Sequence, residues 1–519
     1  MRRVVRWRFL TSLASVLLLL STPATAAGPE DELQRALDAG AEDAVLAPLY
    51  QQAGDVLLRR NQIDRAADAF EQALKRGALQ FPATERRRLA QHLAWAGRLD
   101  GAIEALREIL EEDPENLDAR IDLGSFLSWR GLLVEAGVQA DEVLRRDPGN
   151  PAAQAVKANA ASWRGDSGTA QPLYRELLAE KEEFDVRLNY THDLLAAGRI
   201  VEARASRALI DAADERQRGK LTALDTRIDR YAPPRVLAGV TRYDDSDDNI
   251  RDEYKLGSGI SLGNLGISAE AERVDTRDRV RSADVRRLRA AATWPGGNSL
   301  RLRAGIGVAR IEDVADDDYF IGYAGADGTL GRLRFSAELE HDVLDETALT
   351  VTNRIRRTEA DLLASFQFTD HWRLDGDLEL YDFSDDNNGW KLELTPQYVL
   401  RVGNPGLRLG YRRIQSAFDR QSGGGYFDPS ELYGNQLVLF GTLRGERLRG
   451  DIELYGGQQV TRRFGQRQRD EILGGSARLA YDFNRHVSLE AEIEGGNFSL
   501  LSSGGFDYLL WNLNLVVFF

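Results

Sequence analysis

Gly505 to Phe519 reads GFDYLLWNLNLVVFF, and this stretch decides the fold. Counted back in twos, Phe519, Val517, Leu515, Leu513, Trp511 and Leu509 are all apolar. Their alternates, Phe518, Val516, Asn514, Asn512, Leu510 and Tyr508, mix apolar groups with amides and a phenol. Successive side chains of a strand point to opposite faces, so one face suits lipid and the other suits water. An apolar terminal strand left open invites edge-to-edge pairing. Closing a barrel from last strand to first removes the edge. The alternative is the last strand of a soluble sheet.

The same alternation runs back through residues 235–519. Arg301 and Arg303 alternate with Leu300, Leu302 and Ala304. Arg373, Asp375, Asp377, Glu379 and Tyr381 alternate with Trp372, Leu374, Gly376, Leu378 and Leu380. Arg449, Asp451, Glu453 and Tyr455 alternate with Leu448, Gly450, Ile452 and Leu454, and Glu490, Glu492 and Glu494 with Leu489, Ala491 and Ile493. Short turns are expected at Gly263-Asn264, Pro295–Asn298, Ala326–Gly328, Thr369–His371, Val402–Gly406, Gly445-Glu446 and Asn484–His486. Longer polar loops are expected at Asp244–Arg251, Thr276–Ser282, His341–Thr347, Ser384–Gly389, Ala417–Leu432, Thr461–Asp470 and Asn497–Gly504. Strands of ~10 residues joined by alternating short and long connections fit an all-β antiparallel transmembrane barrel of about sixteen strands. The ending, with Phe519 last and Trp511 on the apolar face, resembles the C-terminal signature of bacterial outer-membrane barrels.

By this phase the inward face carries Asp375, Asp377, Glu379, Tyr381, Glu453, Tyr455, Glu490, Glu492 and Tyr508. A polar lumen with tyrosines suits a sugar chain, through stacking and short hydrogen bonds. Alternatively these groups pair across the barrel and hold it open.

Residues 28–231 are rich in Ala, Leu, Glu and Arg, as helices are. They also repeat. Gly97, Gly131 and Gly165 stand one ~34-residue period apart. Ala66, Ala102, Ala136, Ala170 and Ala203 let each second helix approach the first, Phe70, Leu106 and Tyr174 fill the interface, and Pro114 and Pro148 close their repeats. Asn61 and Gly198 mark a divergent first repeat and a fifth. From about Tyr50 to Ala212 the pattern resembles tetratricopeptide repeats, an all-α solenoid that binds partners. Trp95, Trp129 and Trp163 hold one place, two residues before each turn glycine. Such indoles could stack on sugar rings; large aromatics more often pack between neighbours. At DRYAPPRV, Asp229–Val236, Pro233-Pro234 stops the helices, which sets the two-domain boundary between 28–231 and 235–519.

Arg2, Arg3, Arg6 and Arg8, the apolar run Leu10–Leu20 and an A-x-A site at Ala24–Ala26 read as a cleaved signal peptide over 1–26. A net charge of −15 argues against nucleic acid. There is no cysteine, and His92, His192, His341, His371 and His486 lack metal-ligand spacing. The acidic loop DDSDDN, Asp244–Asn249, lacks the glycine and distal glutamate of a calcium loop. No cofactor, metal or catalytic set is read, so no enzyme is expected.

The loop GGGYFDPSELY, Gly423–Tyr433, adds a resemblance. Its YFDPxxxY wording (Tyr426, Phe427, Asp428, Pro429, Tyr433) is similar to a segment of the cellulose exporter. Repeats followed by a barrel resemble the outer-membrane exopolysaccharide exporters, which include that protein and the poly-N-acetylglucosamine porin. The resemblance implies a conduit in the outer membrane of a Gram-negative bacterium, with its repeats in the periplasm. Implied partners are the exopolysaccharide chain, periplasmic or inner-membrane synthase components, outer-membrane lipid and the barrel-assembly machinery. With about five repeats this chain has fewer than those exporters carry. The alternative is an anchored scaffold, its repeats recruiting a periplasmic enzyme and its barrel plugged.

Overall fold

The computed structural model describes residues 28–231, 234–312, 317–497 and 507–519. The signal peptide read over 1–26, Pro233 and most of the loop expected at Asn497–Gly504 lie outside them.

Helices come first: α1 (Pro29–Asp38), α2 (Asp43–Arg59), α3 (Ile63–Gly77), α4 (Ala83–Trp95), α5 (Leu99–Glu112) and α6 (Leu117–Arg130). They continue as α7 (Leu133–Arg146), α8 (Pro151–Arg164), α9 (Ser167–Glu180), α10 (Phe184–Ala196), α11 (Ile200–Arg207) and α12 (Glu215–Tyr231). From α2 to α11 they form five pairs. The tight turns inside the pairs place Asn61, Gly97, Gly131, Gly165 and Gly198 in the left-handed region, at φ 56°, 79°, 88°, 90° and 75°. Glycine enters that region without a Cβ clash, and asparagine is among the few other residues to visit it. Ala66, Ala102, Ala136, Ala170 and Ala203 are all buried, as are Phe70, Leu106 and Tyr174. Small side chains on each second helix therefore let the paired backbones close on these larger ones. The chain divides into two compact units, up to Ala119 and from Arg120 to Phe519. In the first unit, buried Arg86 is held by Glu112 (Nη1–Oε1 2.8 Å), and Arg88 bridges Asp55 and Glu85 at 2.9 and 2.6 Å.

Strands follow: β1 (Arg235–Asp245), β2 (Ile250–Leu262), β3 (Leu265–Arg277), β4 (Ser282–Pro295), β5 (Leu300–Glu312), β6 (Asp317–Leu330), β7 (Leu333–Val343) and β8 (Arg356–Gln367). Then come β9 (Trp372–Phe383), β10 (Asn388–Arg401), β11 (Gly406–Phe418), β12 (Glu431–Arg444), β13 (Leu448–Arg463), β14 (Gln466–Asp482), β15 (Val487–Gly496) and β16 (Tyr508–Phe518). One short helix, α13 (Ala348–Thr352), lies between β7 and β8. The sixteen strands form one closed antiparallel barrel, in which β1 pairs β16 from Arg235↔Phe518 to Asp245↔Tyr508.

The barrel's outside is apolar. Leu509, Trp511, Leu513 and Leu515 of β16 are exposed, as are Leu256 and Ile260 of β2, Ile306 and Val308 of β5, and Ile452 and Leu454 of β13. Large apolar side chains exposed at every second position around a closed barrel make a surface whose solvent is lipid. Among the described residues no helix is long and apolar enough to cross a membrane. Turns after the even-numbered strands form a short-turn end, where β1 starts and β16 finishes; the other end carries the longer loops.

Three connections differ from the sequence reading. Ala326–Gly328 lies inside β6, and the turn is Gly331-Arg332. Those small residues serve a close approach of backbones, since a Cβ on Gly328 would sit 2.3 Å from the Ser299 carbonyl oxygen. The connection expected at His341–Thr347 runs from residue 344 to 355 and contains α13. The one expected at Thr461–Asp470 shrinks to Phe464-Gly465, both at positive φ (47° and 74°), because the β13–β14 ladder continues to Arg463↔Gln466. The sequence reading placed no connection between β5 and β6; residues 313–316 lie outside the described ones.

Candidate functional site

The inward faces carry charge on most strands, and the strand register sets who meets whom. Glu379 on β9 faces Lys391 on β10, whose ammonium bridges Glu379 at 3.1 Å and Glu393 at 2.9 Å. Arg373 holds Asp375 (2.5 Å), which also accepts from Gln397 Nε2 (2.6 Å). Arg412 on β11 reaches across β12 to Glu453 on β13 (2.7 Å). Between these walls lies a cavity of about 660 Å³, lined from Arg301 on β5 to Glu453 on β13 and including Asp375 and Asp377. Strands that far apart stand on opposite sides of a sixteen-stranded barrel, so the cavity is the lumen itself. Asp377 Oδ1, Asp361 Oδ1 and Gln397 Oε1 are buried acceptor atoms with no hydrogen-bond partner among the described residues.

Tyr381, Tyr455, Glu492 and Tyr508 also face inward, each with a neighbour. Tyr381 stacks on Phe418 (centroids 5.8 Å, 9°), takes the Arg357 guanidinium on its ring at 5.7 Å and donates to Glu379. The Tyr508 hydroxyl donates to Glu494 (2.6 Å) and lies 3.4 Å from that of Tyr455; its ring stacks on Tyr243. Glu492 pairs with Arg478 (2.6 Å) on the neighbouring strand. Glu490 is exposed on the same face. Trp511 and Phe519 lie exposed on the last stretch, with Trp511 on the lipid face.

A second cluster escaped the sequence reading. Arg287 on β4 is buried and holds Glu272 (2.7 Å), Asp342 (3.0 Å) and Asp345 (2.5 Å), while donating to the Val343 carbonyl (2.9 Å). Arg251 on β2 meets the same Asp345 at 3.2 Å, and Arg357 holds Glu346 at 3.0 Å. The period-two run Arg251, Glu253, Lys255 is a usable signal for the β2 wall. Nothing local reveals that Asp345, in a loop, is its partner.

Two loops narrow the long-loop half from inside. Val351 of α13 is buried with Val274, Val285, Ala309, Ile311 and Ile321 of the inner wall. The β11–β12 connection packs alongside. Tyr426 stacks on Phe383 (4.2 Å, 9°), and its hydroxyl donates to Asp385 at 3.1 Å. Asp428 is wholly buried against Arg463 (3.0 Å), and Thr347 Oγ1 donates to the Gly425 carbonyl (3.0 Å), tying the two loops together. The sequence GGGYFDP is thus an interior lock. Among the described residues no group of three or more His, Asp or Glu could hold a metal ion.

Residues 52–116 and 93–160 match two tetratricopeptide-repeat family models. These residues are tetratricopeptide repeats. No curated protein matches the sequence. Among solved structures, the chain is similar to a "Bacterial polysaccharide outer membrane secretin" at TM-score 0.45 and 12% identity, covering 56% of this chain and 98% of that one. It is similar to CdiB from Acinetobacter baumannii at TM-score 0.34 and 13% identity, covering 55% and 60%. The repeats are similar to a thermophilic TPR protein of Thermus thermophilus, at TM-score 0.29 and 19% identity, covering 34% and 98%. These likenesses are partial, and no step below rests on them.

Within the second unit, the tetratricopeptide repeats dock in order on the short-turn rim. α7 has no side-chain cap of its own; Asp370, in the β8–β9 turn, accepts from the Val134 and Glu135 N–H groups at 2.9 Å each. Arg130 donates to the Val402 carbonyl (2.9 Å) in the next turn along. Arg164 donates to the Gly331 carbonyl in the β6–β7 turn (3.0 Å). Gly168 of α9 abuts Ser299 in the β4–β5 turn. Arg199 reaches Asn298 (2.7 Å) in that same turn. The β2–β3 turn supplies Asn264, which caps the otherwise uncapped α11 at Val201 N (2.9 Å) and donates to Glu202 (2.7 Å). Burial pushes the Glu202 carboxyl up, but Asn264 and Arg199 reverse this and leave it below its usual range. Arg230 closes the series on Asp482 of β14 (2.6 Å). Repeats ascend as rim turns descend.

Trp95, Trp129 and Trp163 each end the first helix of a repeat with 64%, 47% and 45% of their surface exposed. Trp95 sits edge-on to His92 (5.2 Å), and Trp129 lies tilted against Phe126 (5.3 Å).

Proposed function

We propose that the chain is an outer-membrane conduit for export of a bacterial exopolysaccharide. The observation that carries this reading is the charged lumen of about 660 Å³ inside a barrel clad in apolar side chains. A hydrated sugar chain needs closely spaced acceptors and donors that water also satisfies. Asp375, Asp377 and Glu453 on one side and Arg301 on the other supply them. The short-turn end, which carries the helices, is assigned to the periplasm. There the repeats, with Trp95, Trp129 and Trp163 exposed, would guide the polymer or dock synthase components. The reading needs no catalytic group, because synthesis at the inner membrane supplies the drive. Lipid and the barrel-assembly machinery are the partners that any such barrel requires. Deleting the gene in its native host should stop the polymer appearing outside and make it accumulate within the envelope. Unchanged secretion would overturn the reading.

The inward loops favour a second reading, a plugged anchor whose repeats recruit an enzyme. Planar-bilayer conductance separates the two. A conduit passes steady current, whereas a plugged anchor stays silent.

A further inference from the structure

The repeat-bearing end of the barrel is roofed. Gly165, Ser167, Ala196 and Ala197, at the ends of α8, α9 and α10, line the same cavity as Arg301 and Glu453. The rim contacts that hold this roof are almost all hydrogen bonds and ion pairs at the edge of the barrel. Such contacts exchange for water at little net cost each, and polar interfaces between domains commonly separate. They are nonetheless specific. α7 and α11, neither of which has a side-chain cap of its own, receive one from Asp370 and Asn264, whereas α9, which docks through Gly168, carries its own cap in Asp166.

From this geometry we propose that the repeats between Arg130 and Arg230 form a lid over the short-turn mouth of the barrel, closed when docked on the rim and open when released. The proposal rests on the conduit reading and adds its regulation. A ligand that binds the undocked repeats more tightly than the docked ones opens the mouth; one that binds both equally leaves it shut. Register gives the lid one closed position, because successive repeats advance in order along the rim turns.

The chain has no cysteine, so a lock can be introduced cleanly. A Cβ at position 168 would lie 3.6 Å from that of Ser299, within the ~3.5–4.5 Å that a disulfide spans. In the full-length chain, Gly168→Cys with Ser299→Cys should oxidise readily. In planar bilayers the oxidised protein should pass about tenfold less current than the same protein reduced, a shift within the range of allosteric couplings. A measurable current that is equal in the two states overturns the lid. A second readout does not need conduction. Ser365→Cys, on the cavity wall, should react several-fold faster with a bulky maleimide when Asp370→Ala and Asn264→Ala are added. Equal labelling overturns the lid. If labelling separates the two backgrounds while no variant passes current, the lid stands and the conduit reading falls.

Discussion

Asp370 caps a helix it does not belong to: its Oδ1 accepts the Val134 N–H at 2.9 Å, across 236 residues of chain. The first N–H groups of a helix have no partner within it, and a carboxylate there also meets the positive end of the helix dipole. Loss of such a cap costs about 0.5–2 kcal/mol. Asp370→Ala should speed amide exchange at Val134 and Glu135 accordingly, and Asp370→Asn, which keeps one acceptor, should have the smaller effect. Hydrogen exchange by mass spectrometry checks this; unchanged protection over α7 would contradict it.

Arg287 bridges three carboxylates inside the barrel wall. Removing one partner of a buried ionic cluster leaves uncompensated charge and costs about 3–5 kcal/mol. Arg287→Met should therefore lower the unfolding temperature of the barrel in detergent markedly. Adding Asp345→Asn should recover part of the loss. Thermal unfolding of the two variants makes the comparison.

Neighbouring positions on β16 should respond in opposite ways. Leu513 faces lipid, whereas Asn512 faces the lumen and donates to Thr241 (2.9 Å). An arginine facing the bilayer interior costs about 2–4 kcal/mol. Leu513→Arg should impair insertion into vesicles, while Asn512→Arg should be tolerated. Equal penalties would mean that the faces are misassigned.

His192 on α10 gives the helical region an acid-sensitive step. Burial, aided by the nearby Arg227 charge, lowers its imidazole to about 4. In the unfolded chain the group titrates near ~6.5. Between these values the unfolded state binds the proton and the folded state does not. Stability is therefore full above about pH 6.5, falls as the pH drops through the window, and levels off below about 4, with a loss of about 1–3 kcal/mol. The adjacent Asp193 carboxyl, raised by burial, runs the other way. The difference between His192→Gln and the unsubstituted protein, in denaturant titrations across that window, isolates the effect; a difference that does not vary with pH would contradict it.

Much of this architecture was legible because its signals are local. Eleven residues of β16 display both faces of the wall, and the alanines from Ala66 to Ala203 recur at repeat spacing. What stayed hidden depends on partners far along the chain. Arg287 and Asp345 are 58 residues apart, and nothing around residue 345 says that its loop turns inward. Ala326–Gly328 looks like a turn because small residues serve turns and close-packed strands alike. The docking of α7 and α11 on the barrel rim is invisible for the same reason: the residues that cap them lie in turns far along the chain.

The most direct test of the conduit is contact between polymer and lumen. A photo-crosslinking amino acid at Asp377, inside the barrel, and another at Leu513, on the lipid face, can be irradiated in host cells while polymer is being made. The account predicts carbohydrate attached to the barrel from position 377 and none from position 513. Carbohydrate captured from neither position, or equally from both, would contradict it.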